Sequence, residues 1–216
     1  MNKLTIFDLD HTLMNANSSF WFGVFLYRKG FFSFFSMVHC LLCYGLLGLF
    51  VLTLDQLHGR IFDRFFRGRN LEEVEKEVET FLEKSFHALL YQPVIQRLRE
   101  AQERTDRVVI LSSSPHFLVG PIARKLGVVD WEATRYGCDA EGRMDRVDSV
   151  LGGDSKAALL KRWLDQSFVS TEQVTVYSDS LEDLSLLEAA GKAIVVRPRG
   201  RLKKIAEQCA WEILNE

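Results

Sequence analysis

The sequence is poor in cysteine and has no large excess of charge of either sign. Its 216 residues include four cysteines, and 27 lysines and arginines nearly balance 29 aspartates and glutamates. A chain of this length does not require a disulfide framework, so we expect reduced thiols. The near-neutral charge argues against a dedicated nucleic-acid-binding protein, which usually presents a strongly basic face. With 47% hydrophobic residues, the chain allows one good-sized core or one domain that carries an inserted second one.

The N-terminal segment also lacks the features of a secretory signal. Its apolar run is short, it turns acidic at Asp8, and it has no small-residue cleavage site. We therefore expect the functional part of the chain to stay in the cytosol.

No charged residue occurs between Gly30 and Leu54, a run of 25 positions. This run is long enough to cross a membrane, but a single crossing would separate Asp8 from everything after Asp55. We instead predict helices that dip into one leaflet or lie on its surface. The stretch from Arg60 to Arg69 alternates arginines with aromatic residues, which suits an anionic headgroup region. The alternative is a helical cap whose apolar faces pack on each other or across a dimer.

Two of the cysteines, Cys40 and Cys43, form a C-x-x-C pair inside this uncharged run. Only His39 is near enough in sequence to be a third ligand. A metal or redox role competes with the simpler interpretation of two small apolar residues on one side of a buried helix.

A pair of carboxylates follows the first apolar strand pattern, in the segment FDLDHTL. In a strand, residues i and i+2 point to the same face, so Asp8 and Asp10 converge at the strand end. Two close carboxylates are costly unless a cation or a proton compensates them, which indicates chemistry or metal binding. A solvated turn in which Asp and Thr cap a helix is the alternative.

Further along the chain, strand and helix patterns alternate. The sequence predicts strands at 108–112, 174–177 and 193–196, helices at about 71–84, 115–125, 155–165, 181–190 and 201–214, and a hairpin within 131–150. This alternation predicts an α/β fold with a doubly wound parallel sheet. Residues 1–14 and 93–216 would form its core, and residues 15–92 would be an inserted all-helical cap that contains the apolar segment 30–54.

Four more chemically suited residues fall at predicted strand ends or helix starts: Ser112, Lys156, Asp179 and Asp183. Strand ends of a doubly wound sheet share one crevice, so these residues and the acidic pair should meet there. Carboxylates, an ammonium and a hydroxyl beside helix N-termini suit Mg²⁺ and a phosphate. Taken singly, each has another explanation as a helix cap, a first-turn acid or a surface lysine.

In this order, four segments resemble the motifs of the haloacid dehalogenase superfamily, in its phosphoserine-phosphatase-like branch. The segments are FDLDHTL, VVILSSSP, LGGDSKAALL and YSDSLEDLSLL. The first and last are specific, and the middle two are weak alone. The resemblance covers most of the chain outside residues 15–92, and it implies a phosphatase.

The resemblance implies that Asp8 attacks phosphorus and becomes a transient aspartyl phosphate. It implies that Asp10 protonates the leaving oxygen and then activates water. Mg²⁺ would be held by the side chain of Asp8, the backbone carbonyl of Asp10 and Asp179. An acid at position 10 is typical of phosphatases, because family members that only store the phosphoryl group lack it.

The same resemblance implies that Ser112 hydrogen-bonds the phosphoryl group together with Ser113, and that Lys156 neutralises it. Asp183 would support the site. This agrees with the residues themselves, because a carboxylate that approaches a phosphate dianion is repelled unless cations offset the charge.

Departures from the branch bear on the substrate. His11 and Ser180 replace glycines, and Glu182 stands where asparagine is usual. The segment directly after Leu13, from Asn15 to Phe22, has no acidic residue that could bind a substrate ammonium. The apolar insert and the ending VVRPRGRL instead resemble bacterial enzymes that act on lipid phosphates such as phosphatidylglycerophosphate.

We therefore predict a Mg²⁺-dependent phosphatase that acts on a phospholipid phosphate at the cytosolic membrane face. The alternative is a soluble phosphatase of a small polar metabolite, similar to phosphoserine or histidinol phosphate. A third possibility, an inactive phosphate-binding regulator, would be expected to lack Asp8 or Asp10, and both are present.

Overall fold

A computed structural model of the chain describes residues 3–49, 51–166 and 169–215. The strands in this part are β1 (Leu4–Phe7), β2 (Arg107–Pro115), β3 (Asp130–Cys138), β4 (Met144–Ser149), β5 (Val174–Ser178), β6 (Lys192–Val196) and β7 (Glu212–Leu214). They form a sheet in the order β4-β3-β2-β1-β5-β6-β7. All neighbours pair in parallel except β3 and β4, which form the antiparallel hairpin predicted within 131–150.

Helices precede, follow and connect these strands. They are α1 (Ser18–Arg28), α2 (Phe34–Gly48), α3 (Leu54–Ile61), α4 (Leu71–Leu89), α5 (Gln92–Glu103), α6 (His116–Leu126), α7 (Gly153–Gln166), α8 (Leu184–Glu188) and α9 (Gly200–Gln208). Short π-helical turns span Leu9–Leu13 and Phe62–Phe66, and 3₁₀ turns span Thr171–Gln173 and Leu181–Asp183.

The sheet is covered on both faces, because alternate residues of its central strands enter two different cores. Leu4 and Ile6 of β1 pack with α7, α8 and α9, whereas Phe7 packs with α5, α6 and the helices that follow β1. Parallel strands that are buried on both faces have mostly apolar sequences without polar alternation, which explains the segments LTIF and KAIVV. The predicted doubly wound α/β fold is confirmed.

Helices α1 to α4 lie between β1 and α5 in sequence. The predicted amphipathic helix at 71–84 is α4, which Asn70 caps by accepting from the backbone amides of Glu72 and Glu73. An aromatic cluster joins these helices to the sheet, with Phe66 of the second π-helical turn 5.2 Å from Phe117 and 5.9 Å from Tyr136 between ring centres. The division into core and cap at residues 15–92 stays a prediction.

The uncharged run from Gly30 to Leu54 is not one long helix. Its main helix, α2, has 15 residues, and no helix among residues 3–49, 51–166 and 169–215 is both long and apolar enough to cross a membrane. One face of α2 is nevertheless open to solvent and apolar. Its exposed large side chains are Phe34, Phe35, Val38, Leu41 and Leu42.

The stretch from Arg60 to Arg69 does not present an alternating surface to a membrane, which corrects the sequence prediction. The aromatic side chains of Phe62, Phe65 and Phe66 are buried in the core. The Arg69 guanidinium donates to the backbone carbonyl of Phe65, and Arg67 pairs with Asp63. Because this segment is helical, the aromatic residues lie on the face that points to the protein core, so their spacing reflects packing in that core.

The prediction of one helix over 201–214 is wrong in its second half. Helix α9 ends at Gln208, Ala210 takes a positive φ of 52°, and β7 then pairs in parallel with β6. Ile213 packs in the core under α9, so tertiary pairing at the sheet edge prevails over helical periodicity. The predicted helix at 181–190 is likewise a 3₁₀ turn followed by the short α8.

Candidate active site

A polar cleft opens at the carboxyl ends of β1, β2 and β5. It is lined by Asp8, Asp10, His11, Asn17, Ser113, Leu151, Gly152, Gly153, Lys156, Asp179, Ser180, Glu182 and Asp183. Of the seven residues predicted for the site, six line this cleft, and the exception is Ser112. The convergence follows from the register, because Phe7 pairs with Ile110 on one side and with Tyr177 on the other.

Asp8 lies directly after β1 and is almost completely buried, with 7% of its surface exposed. Its backbone amide donates to the carbonyl of Tyr177 at 2.9 Å, which holds it at the strand end. Burial raises the pKa of the Asp8 carboxyl well above its usual value. Lys156 opposes that rise, and the charges of Asp183 and Asp179 add to it.

Lys156 is 2% exposed, so it is not the surface lysine of the alternative interpretation. Its Nζ atom lies 2.7 Å from Oδ1 of Asp8 and 3.0 Å from Oδ2 of Asp183. Burial works to lower the Lys156 pKa, but the charges of Asp183 and Asp8 outweigh it and raise the pKa above its usual value. The ammonium is therefore charged at neutral pH and bridges two buried carboxylates.

Asp10 belongs to the π-helical turn that follows Asp8. Its Oδ1 accepts from the backbone amide of Ser18 at 2.6 Å, and its Oδ2 accepts from the Ser114 hydroxyl at 2.6 Å. Ser114 in turn lies 2.7 Å from the hydroxyl of Ser19. Two hydrogen bonds from separate elements fix the orientation of this carboxylate at the edge of the cleft.

Asp179 follows β5 and lines the same cleft. Its Oδ1 accepts from the Thr12 hydroxyl at 3.2 Å. Burial raises the pKa of Asp179 to about 6, although the His11 charge and the Thr12 hydrogen bond lower it. No ion pair of the described residues neutralises Asp179 as Lys156 neutralises Asp8.

These donors fit Mg²⁺. The Asp8 and Asp179 carboxylates line one cleft, and burial raises the pKa of both, so a bound cation there would offset the cost of holding two buried carboxylates charged. Among the described residues there is no group of three or more His, Cys, Asp or Glu side chains arranged around one point. Mg²⁺ does not require such a group, because it keeps several waters and takes only one or two carboxylates plus other oxygens.

Ser112 is not among the residues that line the cleft, and its contact with a phosphoryl group stays a prediction. It is 1% exposed, and its hydroxyl accepts from the backbone amide of Ser114 at 3.1 Å. Ser113, the next residue, faces the cleft instead. Because β2 continues to Pro115, the alternation of a strand turns Ser113 to the face opposite Ser112.

Sequence reasoning gave no site role to three serines that orient the acids. Ser178 donates to Oδ2 of Asp183 at 2.7 Å, and Ser114 and Ser19 form the hydroxyl chain that ends on Asp10. The sequence pattern around Ser114 suggests only a helix cap. No local pattern marks these contacts, because each partner lies on another element or in another turn.

The C-x-x-C pair does not form a disulfide, since Cys40 and Cys43 are both free. The Cys43 sulfur lies 3.5 Å from Nε2 of His39. Burial raises the pKa of Cys40 to about 11, so this thiol stays protonated at neutral pH. Cys40 packs against the main core cluster, and Cys43 is buried in the small cluster with Leu52 and Leu57.

The fold and the cleft are those of a known class of hydrolases. The sequence profile of the haloacid dehalogenase-like hydrolase family matches residues 5–188. The chain belongs to this family, and the predicted class of enzyme, a phosphatase, is confirmed.

Two relatives cover nearly all of the chain. A histidinol-phosphatase of Neisseria meningitidis serogroup C (strain 8013) is 26% identical over 228 residues, which cover 100% of this chain and 99% of that protein. A phosphoserine phosphatase of Mycobacterium tuberculosis (strain ATCC 25618 / H37Rv) is 25% identical over 223 residues, which cover 99% of this chain and 70% of that protein.

Solved structures share the fold. A protein of unknown function from Bordetella pertussis Tohama I superimposes with a TM-score of 0.87 at 22% identity, and the match covers 100% of this chain and 99% of that one. A substrate-bound phosphoserine phosphatase superimposes with a TM-score of 0.73 at 18% identity, covering 100% and 94%.

Proposed function

We propose that this chain hydrolyses a phosphomonoester in a Mg²⁺-dependent reaction, through an aspartyl phosphate formed on Asp8. The observation that supports this most is the meeting of Asp8, Asp10, Lys156 and Asp179 in one cleft at the ends of adjacent parallel strands. These groups supply a nucleophile, an acid or base and the charges that a phosphoryl transfer needs.

Asp8 would attack phosphorus through one carboxylate oxygen, and the alcohol would leave on the opposite side. Lys156 would hold the Asp8 and Asp183 carboxylates in place, because its ammonium contacts both of them. A phosphate dianion that entered the cleft would meet this ammonium, which reduces its repulsion from the carboxylates. Ser113 lines the cleft and would donate a hydrogen bond to the phosphoryl oxygens, with Ser112 supporting the turn beneath it.

Asp10 would give its proton to the leaving oxygen and then take a proton from the water that hydrolyses the acyl phosphate. Its hydrogen bonds to Ser18 and Ser114 keep the carboxyl at the cleft edge for both steps. General acid catalysis of this kind commonly contributes about 10²–10⁴-fold to the rate.

Mg²⁺ would be held by the carboxylates of Asp8 and Asp179 and by the backbone carbonyl of Asp10, and when bound it supplies charge neutralisation at the phosphoryl oxygens. Oδ2 of Asp183 contacts Lys156 and Ser178, so Asp183 would support the site by holding the ammonium in place.

A small soluble phosphomonoester is the substrate class that we favour. Relatives that cover the whole chain are named histidinol-phosphatase and phosphoserine phosphatase. A phospholipid phosphate at a membrane surface is the second candidate, and the exposed apolar face of α2 favours it. Phe34 is 63% and Phe35 77% exposed, which is costly in water unless another apolar surface covers them.

A phosphate-release screen tests the proposal. Purified protein with Mg²⁺ is assayed against O-phospho-L-serine, L-histidinol phosphate, other small phosphomonoesters, phosphatidate and phosphatidylglycerophosphate in detergent. Release from small esters supports the favoured class, and release from the two lipids alone supports the second candidate. Failure to release phosphate from every ester, with and without Mg²⁺, would refute the proposed activity.

A further inference from the structure

An apolar cavity lies beside the polar cleft, between helices α1 to α3 and the residues that follow β2. Its walls include Gly23 of α1, Met37 and Tyr44 of α2, Leu57 of α3, and Phe117 and Tyr136 of the sheet side. The proposed function does not use this cavity.

The cavity adjoins the proposed acid. Ser19 lines it and hydrogen-bonds Ser114, and Ser114 donates to Asp10. The Asp10 charge also acts on Tyr44 of the cavity wall. Burial raises the Tyr44 pKa most, and the neighbouring Cys40 and the Asp10 charge raise it further. Part of the cavity wall therefore lies one hydroxyl chain away from the carboxylate that would protonate the leaving oxygen.

The walls hold no side chain that would pair with a charged leaving group. None of the described lining residues is Asp, Glu, Lys or Arg. His58 is the one basic residue among them, and burial lowers its pKa to about 4, so it is neutral at pH 7. Its Nδ1 lies 2.9 Å from the Tyr136 hydroxyl. His58 Nδ1 and the Tyr136 hydroxyl are thus already paired with each other within the protein.

The size of the cavity limits its occupant. Its volume is about 70 Å³. An empty apolar site of about 150 Å³ is known to take benzene, so this cavity suits a short alkyl arm and is too small for a fatty chain.

We propose that this cavity seats a short, uncharged apolar arm of the leaving alcohol, and that the enzyme prefers small alkyl phosphomonoesters over zwitterionic ones such as phosphoserine. This inference rests on the proposed function, because it assumes that Asp10 protonates the leaving oxygen.

A homologous series of esters tests the inference. With Mg²⁺, kcat/KM is measured for methyl, ethyl, propyl, butyl and hexyl phosphate, O-phospho-L-serine and L-histidinol phosphate. Each buried methylene should raise kcat/KM about fourfold until the cavity is full, so we expect a rise from methyl to butyl and no further gain at hexyl. Equal kcat/KM along the series, or a tenfold preference for either zwitterionic ester over butyl phosphate, would overturn the inference.

A cavity-filling variant gives the matched test. A Cβ atom on Gly23 would meet no heavy atom within 4 Å, so Gly23→Leu adds a side chain to the cavity wall in a helix that tolerates leucine. We expect it to bring the butyl-to-methyl ratio of kcat/KM to within about threefold, because the added side chain takes the space that the longer arm would occupy. Gly45→Leu, at an exposed position of α2 with equal room, should keep the wild-type ratio.

The outcomes separate the two proposals. If methyl phosphate is hydrolysed but Gly23→Leu keeps the wild-type ratio, the cavity inference fails and the phosphatase proposal stands. If no ester releases phosphate, the proposed function fails, and the inference fails with it. If thermal unfolding shows that Gly23→Leu does not fold, the kcat/KM values of the wild-type enzyme along the ester series decide the cavity inference by themselves.

Discussion

Gly153 and the backbone carbonyl of Glu182 approach each other so closely that a Cβ atom at position 153 would lie 1.6 Å from that oxygen. This contact brings the first turn of α7, which carries Lys156, against the 3₁₀ turn that carries Asp183. The Lys156–Asp183 ion pair, at 3.0 Å, joins the same two segments.

We therefore expect Gly153→Ala to push the two segments apart. A backbone atom cannot swing aside as a flexible side chain does, so the free energy of unfolding should fall by about 1–3 kcal/mol. Phosphate release should fall at least about tenfold, because a displacement of 1 Å at an active site is costly. Chemical denaturation and steady-state kinetics measure the two effects.

Gly152→Ala is the matched control. A Cβ atom there would lie 3.4 Å from Cδ2 of Leu54, an ordinary contact with a movable side chain. The Gly153 argument is contradicted if both alanine variants behave alike.

Asp8→Asn should abolish turnover and leave the protein folded. The amide has the shape of the carboxyl group but cannot act as the nucleophile, so we expect kcat to fall by roughly 10³-fold or more. Lys156 keeps Asp183 as a partner, and the repulsion between Asp8 and its acidic neighbours disappears. Thermal unfolding should consequently show no loss of stability. Phosphate release within tenfold of wild type would rule out Asp8 as the nucleophile.

Lys156→Ala should be more damaging to stability than Asp8→Asn. Removing one member of a buried ion pair leaves uncompensated charge, which typically costs about 3–5 kcal/mol. The cost should shrink in Lys156→Ala/Asp183→Asn, because the second change removes one of the two carboxylates that Lys156 bridges. Denaturation of the single and double variants gives the comparison, and additive losses would argue against the bridge.

The sequence was sufficient to predict the central sheet and the acids at its edge. The segments around Phe7, Ile110 and Tyr177 are apolar runs bounded by turns, and such runs become buried parallel strands whose ends meet. Asp8, Asp10 and Asp179 were therefore predictable by position alone. The family resemblance added their roles.

Other features depend on contacts that the sequence does not display. Whether 212–214 is helix or strand is decided by the free edge of β6, which is distant in sequence. Ser113 rather than Ser112 lines the cleft because β2 extends three residues further than its apolar pattern suggests. The aromatic residues near Arg64 suggested a membrane-contacting segment. The spacing of aromatic and basic residues alone does not show whether the aromatic side chains face lipid or the protein core.

Asp179 gives a pH-dependent test of the metal site. An aspartate carboxyl has an ordinary pKa of 3.8, and burial raises that of Asp179 to about 6, so the folded protein binds this proton more tightly than the unfolded chain does. Its contribution to stability is therefore fully present below pH 3.8 and is lost as the pH rises through about 6. In EDTA, Asp179→Asn should gain about 1–3 kcal/mol relative to wild type between about pH 4 and pH 7.

Adding Mg²⁺ at pH 7 should largely offset this difference. An ion that binds only the folded state stabilises it by about 2.7 kcal/mol at 100 times its Kd. Wild type should gain this stability and Asp179→Asn should gain little, because the variant lacks one of the two carboxylates proposed as ligands. Denaturant titrations at each pH, with EDTA or with Mg²⁺, measure both differences. Parallel pH curves for the two proteins, together with equal stabilisation by Mg²⁺, would show that Asp179 neither titrates as described nor holds the ion.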